Sequence, residues 1–148
     1  MFINHTITNL PADDKTANAS GYRIGVHGKP EMEDKTMEKK NLDWGNIGFS
    51  YVTTDYRYVS NYKDGKWDEG TLTEDPNVVI NECAGILQYC QECFEGLKAY
   101  TTEDGSIVTF RPDLNAERMM NSAARLEMPQ FPKERFIDAI TKLVAANA

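Results

Sequence analysis

Residues 97–129, LKAYTTEDGSIVTFRPDLNAERMMNSAARLEMP, constrain the fold more than any other stretch, because their turn residues and hydrophobic spacing prescribe an element order. Two short runs, 97–101 and 107–110, flank Glu103-Asp104-Gly105 and read as antiparallel strands joined by a tight turn. After Pro112, either Asp113 or Asn115 can cap a helix that contains Arg118 and Arg125. Leu114, Met119, Ser122 and Leu126 fall roughly on one face of it before Pro129 and Pro132 end the run. A last helix begins near Lys133, where Phe136, Ile140, Leu143 and Val144 make an i, i+4, i+7, i+8 stripe. Strands first and helices last predict an α+β fold: a mostly antiparallel sheet with helices packed on one face.

Upstream, ordered structure is expected from about Trp44, and residues 51–63 are dense in the Tyr, Val and Thr that suit a pleated surface. Asp64-Gly65 follows as a hairpin turn, since both central residues of the primed turn need positive φ, and Trp67 opens the return strand. Val78-Val79-Ile80 is a further strand candidate. Residues 81–94 can begin as a helix, with Asn81 as its cap and Ile86, Leu87 and Tyr89 on its apolar side, although Gly85 weakens it. Residues 1–41 show no sustained period and are rich in polar and charged side chains, so a poorly ordered N-terminal arm is predicted there and a domain over 42–148.

The 148 residues are enough for one core. A net charge of −7 argues against a nucleic-acid surface, and no apolar run approaches the roughly 20 residues of a membrane span. Cys83, Cys90 and Cys93, an odd set behind an N-terminus without secretory character, fit reduced thiols, and a cytoplasmic location is expected.

Chemistry is sparse. Cys90-Gln91-Glu92-Cys93 has zinc-like spacing, but His5 and His27 are distant, so no metal site is expected. There is no calcium loop, no G-x-S-x-G elbow and no histidine near a core position. A guanidinium at Arg118, in the middle of a short amphipathic helix, can hold a phosphate bidentately. Helix statistics alone favour an exposed arginine there, or one paired with Glu117 or Glu127. Tyr89 and Phe94 read by themselves as packing aromatics.

FEGLKAY at 94–100, the Asp104-Gly105 turn, FRPDLNAERM at 110–119 and RLEMP at 125–129 closely resemble the branched-chain amino-acid aminotransferases, pyridoxal-phosphate enzymes of fold type IV. GFSYVTTDYRYVSNYKDGKWDEG at 48–70 extends the resemblance, which covers about three quarters of the chain. It implies the N-terminal small domain of that fold, with Arg118 on the phosphate of pyridoxal 5′-phosphate. It also implies that Phe49, Tyr89 and Phe94 form an apolar pocket for the branched side chain, with Tyr89 serving the partner subunit of a homodimer. The implied reaction moves an amino group between leucine, isoleucine or valine and a 2-oxo acid. The reactive lysine belongs to the family's large domain; Lys98 is not that lysine, no catalytic residue is assigned here, and this chain alone is expected to be inactive. The alternative is a non-catalytic small-domain module from a truncated gene. Two departures stand out: Gln88-Tyr89-Cys90 where the family commonly has His-Tyr-Gly, and Ser50 in place of a usual glycine.

Overall fold

The computed structural model describes residues 51–147 and the backbone of two earlier strands, β1 (Thr6–Asn9) and β2 (Gly21–Ile24). Phe49 and Ser50, and with them Trp44, lie outside the described residues. β1 and β2 fall inside the segment expected to be an arm, whose other residues are likewise outside the description.

β3 (Arg57–Val59) leads into β4 (Tyr62–Lys63), which turns at Asp64-Gly65 into β5 (Lys66–Trp67). Both turn residues have positive φ, 51° and 80°, as the primed hairpin requires. β6 (Thr71–Thr73) returns to pair antiparallel with β3. Here Gly70 has φ +73° and lies against the Tyr58 hydroxyl, which would sit 2.0 Å from any Cβ at that position.

Residues 78–80 form no strand, and Val79 is 98% exposed. The helix expected over 81–94 is confined to α1 (Gly85–Tyr89). Asn81 does not cap it: the cap position is Ala84, while the Asn81 side chain accepts the Cys83 N–H at 2.8 Å in an Asx turn. Ile86, Leu87 and Tyr89 are all exposed, so this helix has no buried face.

β7 (Lys98–Thr101) and β8 (Ile107–Phe110) form the second hairpin. Its turn is closed by Gly105 N–H to Thr102 O at 2.9 Å, with Gly105 left-handed at φ +78°. β1 adds parallel to β7 and β2 antiparallel to β8, giving a four-stranded sheet ordered β1-β7-β8-β2. Ala99 on β7 and Thr109 on β8 are cross-strand partners and both buried, so this face of the hairpin looks into the core.

α2 (Pro112–Arg125) starts from Arg111, which takes left-handed φ 45°, and no side chain caps it. Asp113 lies in the first turn and binds the Arg111 side chain, and Asn115 turns elsewhere, so neither is the cap the sequence offered. The buried face is Pro112, Ala116 and Ala123 with Met119 packed beside it, whereas Leu114 and Leu126 are exposed. Small residues face inward because α3 (Lys133–Asn147) packs closely against α2. A Schellman closure ends α2, with Met128 N–H to Ala123 O at 2.9 Å and Glu127 N–H to Ala124 O at 3.1 Å.

α3 buries Phe136, Ile140, Leu143 and Val144 as its stripe predicts, together with Ala139. These join Tyr58, Ala99, Ile107, Ala116 and Phe131 in one core, so the described structure is α+β, with antiparallel strand pairs backed by helices. Trp67 closes one end of it: its ring meets Phe131 edge to face at 5.0 Å and its indole N–H donates to Gln130 O at 3.0 Å. At the other end, Asn147 accepts the Tyr56 N–H at 3.0 Å and returns a bond to Tyr56 O at 3.1 Å.

Candidate functional site

Arg118 sits in the middle of α2, one helical turn beyond Asn115, on the side opposite the buried alanines. Its partner is neither Glu117 nor Glu127. Glu117 accepts the Lys133 ammonium at 2.7 Å, and Arg118 reaches instead to Glu95, in the lead-in to the second hairpin. Arg118 Nε donates to Glu95 Oε2 at 2.7 Å and Nη2 donates to Oε1, so the pair is a two-point fork.

Glu95 is the residue the sequence reading missed. Its side chain is only 3% exposed although Arg118 is 68% exposed. The carboxylate also accepts from Asn115 Nδ2 at 2.9 Å and from the Gly96 N–H at 3.0 Å. Burial pushes the carboxyl pKa up, but the donations from Arg118 and Asn115 outweigh it, and the net shift is downward. A charged carboxylate held from three directions fixes the guanidinium plane. The second Asn115 amide hydrogen goes to Gly96 O at 3.0 Å, which ties α2 to the hairpin lead-in at the same point. Glu95 and Arg118 are 23 positions apart with no shared period, so no sequence spacing could have joined them; the only clue was a glutamate beside Gly96.

Nη1 of Arg118 makes no hydrogen bond among the described residues. The fork spends Nε–H and one Nη2 hydrogen on Glu95, leaving three N–H donors on an exposed edge. That donor set fits a phosphate. Because Glu95 cancels the arginine's charge, the fit rests on oriented donors more than on net positive charge.

The aromatic candidates are placed but not enclosed. Tyr89 at the end of α1 is 84% exposed and Phe94 is 83% exposed. The Phe94 ring leans over Gly96, where an added Cβ would meet it at 3.4 Å. A dry pocket therefore needs a further wall over these rings, and Phe49, the third candidate, is outside the described residues.

Just past α1, the Gln91 side-chain amide donates to Leu126 O at the end of α2, at 3.0 Å. Cys90 closes α1 in the left-handed region at φ 51°, the conformation for which a glycine is suited and a cysteine is strained. Cys83 and Cys90 are exposed and Cys93 half-buried, all as free thiols; burial pushes the Cys93 thiol pKa up. Among the described residues no group of three or more His, Cys, Asp or Glu is gathered. No helix among them is long and apolar enough to cross a membrane. Lys98 lies exposed on β7.

No family model matches the chain. Curated relatives do. A branched-chain-amino-acid aminotransferase of Haemophilus influenzae is 56% identical over 108 residues, covering 73% of this chain and 32% of the relative. A Helicobacter pylori protein of the same name is 44% identical over 108 residues, with the same coverage of 73% and 32%. A methionine aminotransferase of Arabidopsis thaliana is 43% identical over 108 residues, covering 72% of this chain and 30% of the relative. The chain thus spans about a third of the length of the curated relatives it matches. On this similarity, the chain belongs to the branched-chain aminotransferase family.

Proposed function

We propose that this chain is the N-terminal small domain of a fold type IV aminotransferase that moves amino groups between leucine, isoleucine or valine and a 2-oxo acid. The observation that carries the reading is the Arg118 fork, fixed by a buried carboxylate and open along its outer edge, in a chain 56% identical to a named branched-chain aminotransferase. When bound, pyridoxal 5′-phosphate supplies the electron sink for amino transfer. Arg118 would hold its phosphate through the open guanidinium edge and so set where that end of the cofactor rests.

Phe49, Tyr89 and Phe94 supply apolar faces for the branched side chain, which gains most where water is excluded. The exposure of Tyr89 and Phe94 supports a site closed by other parts of a complete homodimeric enzyme, with Tyr89 serving the partner's pocket. We assign the reactive lysine to the part of the relatives' length that this chain does not span. No residue of the chain itself is assigned a proton-transfer role.

A chimera tests this. In the Haemophilus influenzae relative, the matching 108 residues are replaced by those of this chain, and amino transfer from leucine to a 2-oxo acid is measured. Transfer is expected, with any borohydride-fixed cofactor label mapping to a lysine outside the transplanted segment. A folded chimera that binds the cofactor but transfers nothing, or a stoichiometric label on Lys98, would contradict the proposal.

A further inference from the structure

Glu95 is a carboxylate whose side chain is almost wholly covered, and it helps to tie α2 to the hairpin lead-in through Arg118 and Asn115. Among the described residues its one backbone donor is the adjacent Gly96 N–H, which lies outside any helix or strand, and a buried carboxylate is costly unless strongly paired. Its three side-chain hydrogen bonds comprise two from Arg118 and one from Asn115. The exposed member of the pair is the arginine, and the buried member is the acid. An ion pair serving packing alone would not need its cation turned outward with three donors open.

We infer that Glu95 is the positioning residue of the anion site: it orients Arg118 so that the outer guanidinium edge meets a phosphate monoester dianion, with Asn115 holding Glu95 in turn. The inference rests on the reading of Arg118 as the phosphate contact. It makes a prediction opposite in sign to simple electrostatics. Removing a negative charge next to an anion site should tighten anion binding if charge governs. It should weaken binding if orientation governs, because a guanidinium without its fork loses the preorganised geometry.

The test uses the full 148-residue chain and two probes, pyridoxal 5′-phosphate and pyridoxal, with affinities from calorimetry. The ratio of the two affinities isolates the phosphate contribution, whereas a loss of folded protein would lower both alike. Glu95→Gln and Glu95→Ala are expected to cut the wild-type preference for the phosphorylated probe about tenfold, the scale on which outer partners act on the ligands they orient. An unchanged or increased preference in Glu95→Gln would overturn the role of Glu95.

Arg118→Ala separates the two ideas. If the wild-type chain shows no preference for the phosphorylated probe, or Arg118→Ala keeps the wild-type preference, the phosphate reading itself fails. The Arg118 Nε–H signal in nitrogen-15 spectra is a second measurement, independent of any ligand. It should be a sharp, slowly exchanging peak in the wild type and be lost to exchange in Glu95→Gln. Persistence of that peak in Glu95→Gln would also overturn the role.

Discussion

Cys90 and Glu95 lie five positions apart and represent the two ways a single residue can be set by its surroundings. Cys90 holds a left-handed conformation at the end of α1, with its N–H on Ile86 O at 3.2 Å. A Cβ there is strained, so Cys90→Gly is expected to stabilise the fold by about 1 kcal/mol, read as a raised urea midpoint at unchanged slope. Asp68 and Asp113 show the electrostatic counterpart. Side-chain donation from Asn61, with further bonds from Ser60 and Gly70, holds the Asp68 pKa at about 2, below its model-peptide value of 3.8. Side-chain donation from Arg111 holds Asp113 at about 2 as well. Both folded values lie below the unfolded ones, so their stabilisation is complete above about pH 5 and is lost as pH falls toward 2. Urea midpoints should therefore fall across that window, and Asp68→Asn should flatten the decline. At this scale the sequence was legible where the cause is local. Asp64-Gly65 declares its own positive φ values, and the strain at Cys90 follows from a cysteine at a glycine position. Glu95 was illegible because its meaning depends on a partner 23 residues away.

Among the elements, α3 and the two hairpins were readable for the same reason. A stripe at 3.6-residue spacing must bury, and a Gly-containing turn between β-prone runs must fold back. Ile140 is 1% exposed in the middle of that stripe, so Ile140→Ala should cost about 3 kcal/mol, measured by denaturant unfolding. Gly70→Ala should be destabilising, read as a lowered midpoint in the same assay, because the added Cβ would lie 2.0 Å from the Tyr58 hydroxyl and 2.4 Å from its ring, and because Gly70 holds φ +73°. The face of α2 that carries Leu114, Met119, Ser122 and Leu126 is not the buried one, since Leu114 and Leu126 are exposed. Close packing against α3 instead selects Ala116 and Ala123. Residues 78–80 have strand-forming composition but pair with no strand among the described residues, and α1 has apolar residues none of which is buried. The parallel pairing of β1 with β7 joins residues about ninety positions apart, which no local pattern encodes.

For the molecule as a whole, the distribution of exposed apolar groups is the informative property. Tyr51, Val79, Leu87, Tyr89, Phe94 and Phe110 are all exposed in the described structure. Solitary exposed apolar residues are ordinary, but this many on one small chain favours association. Sedimentation over a concentration series should show concentration-dependent oligomers, and a single monomeric species throughout would count against unsatisfied surfaces. The family was legible in the sequence because long ordered motifs such as FEGLKAY and FRPDLNAERM carry it; the fork that joins Arg118 to Glu95 was not. Phosphorus-31 spectra of pyridoxal 5′-phosphate test the proposed phosphate role of Arg118 most directly. The wild-type chain should shift and broaden the phosphate resonance, and Arg118→Ala, folded by circular dichroism, should return it to the free position; an equal perturbation by both proteins would contradict the assignment of the phosphate to Arg118.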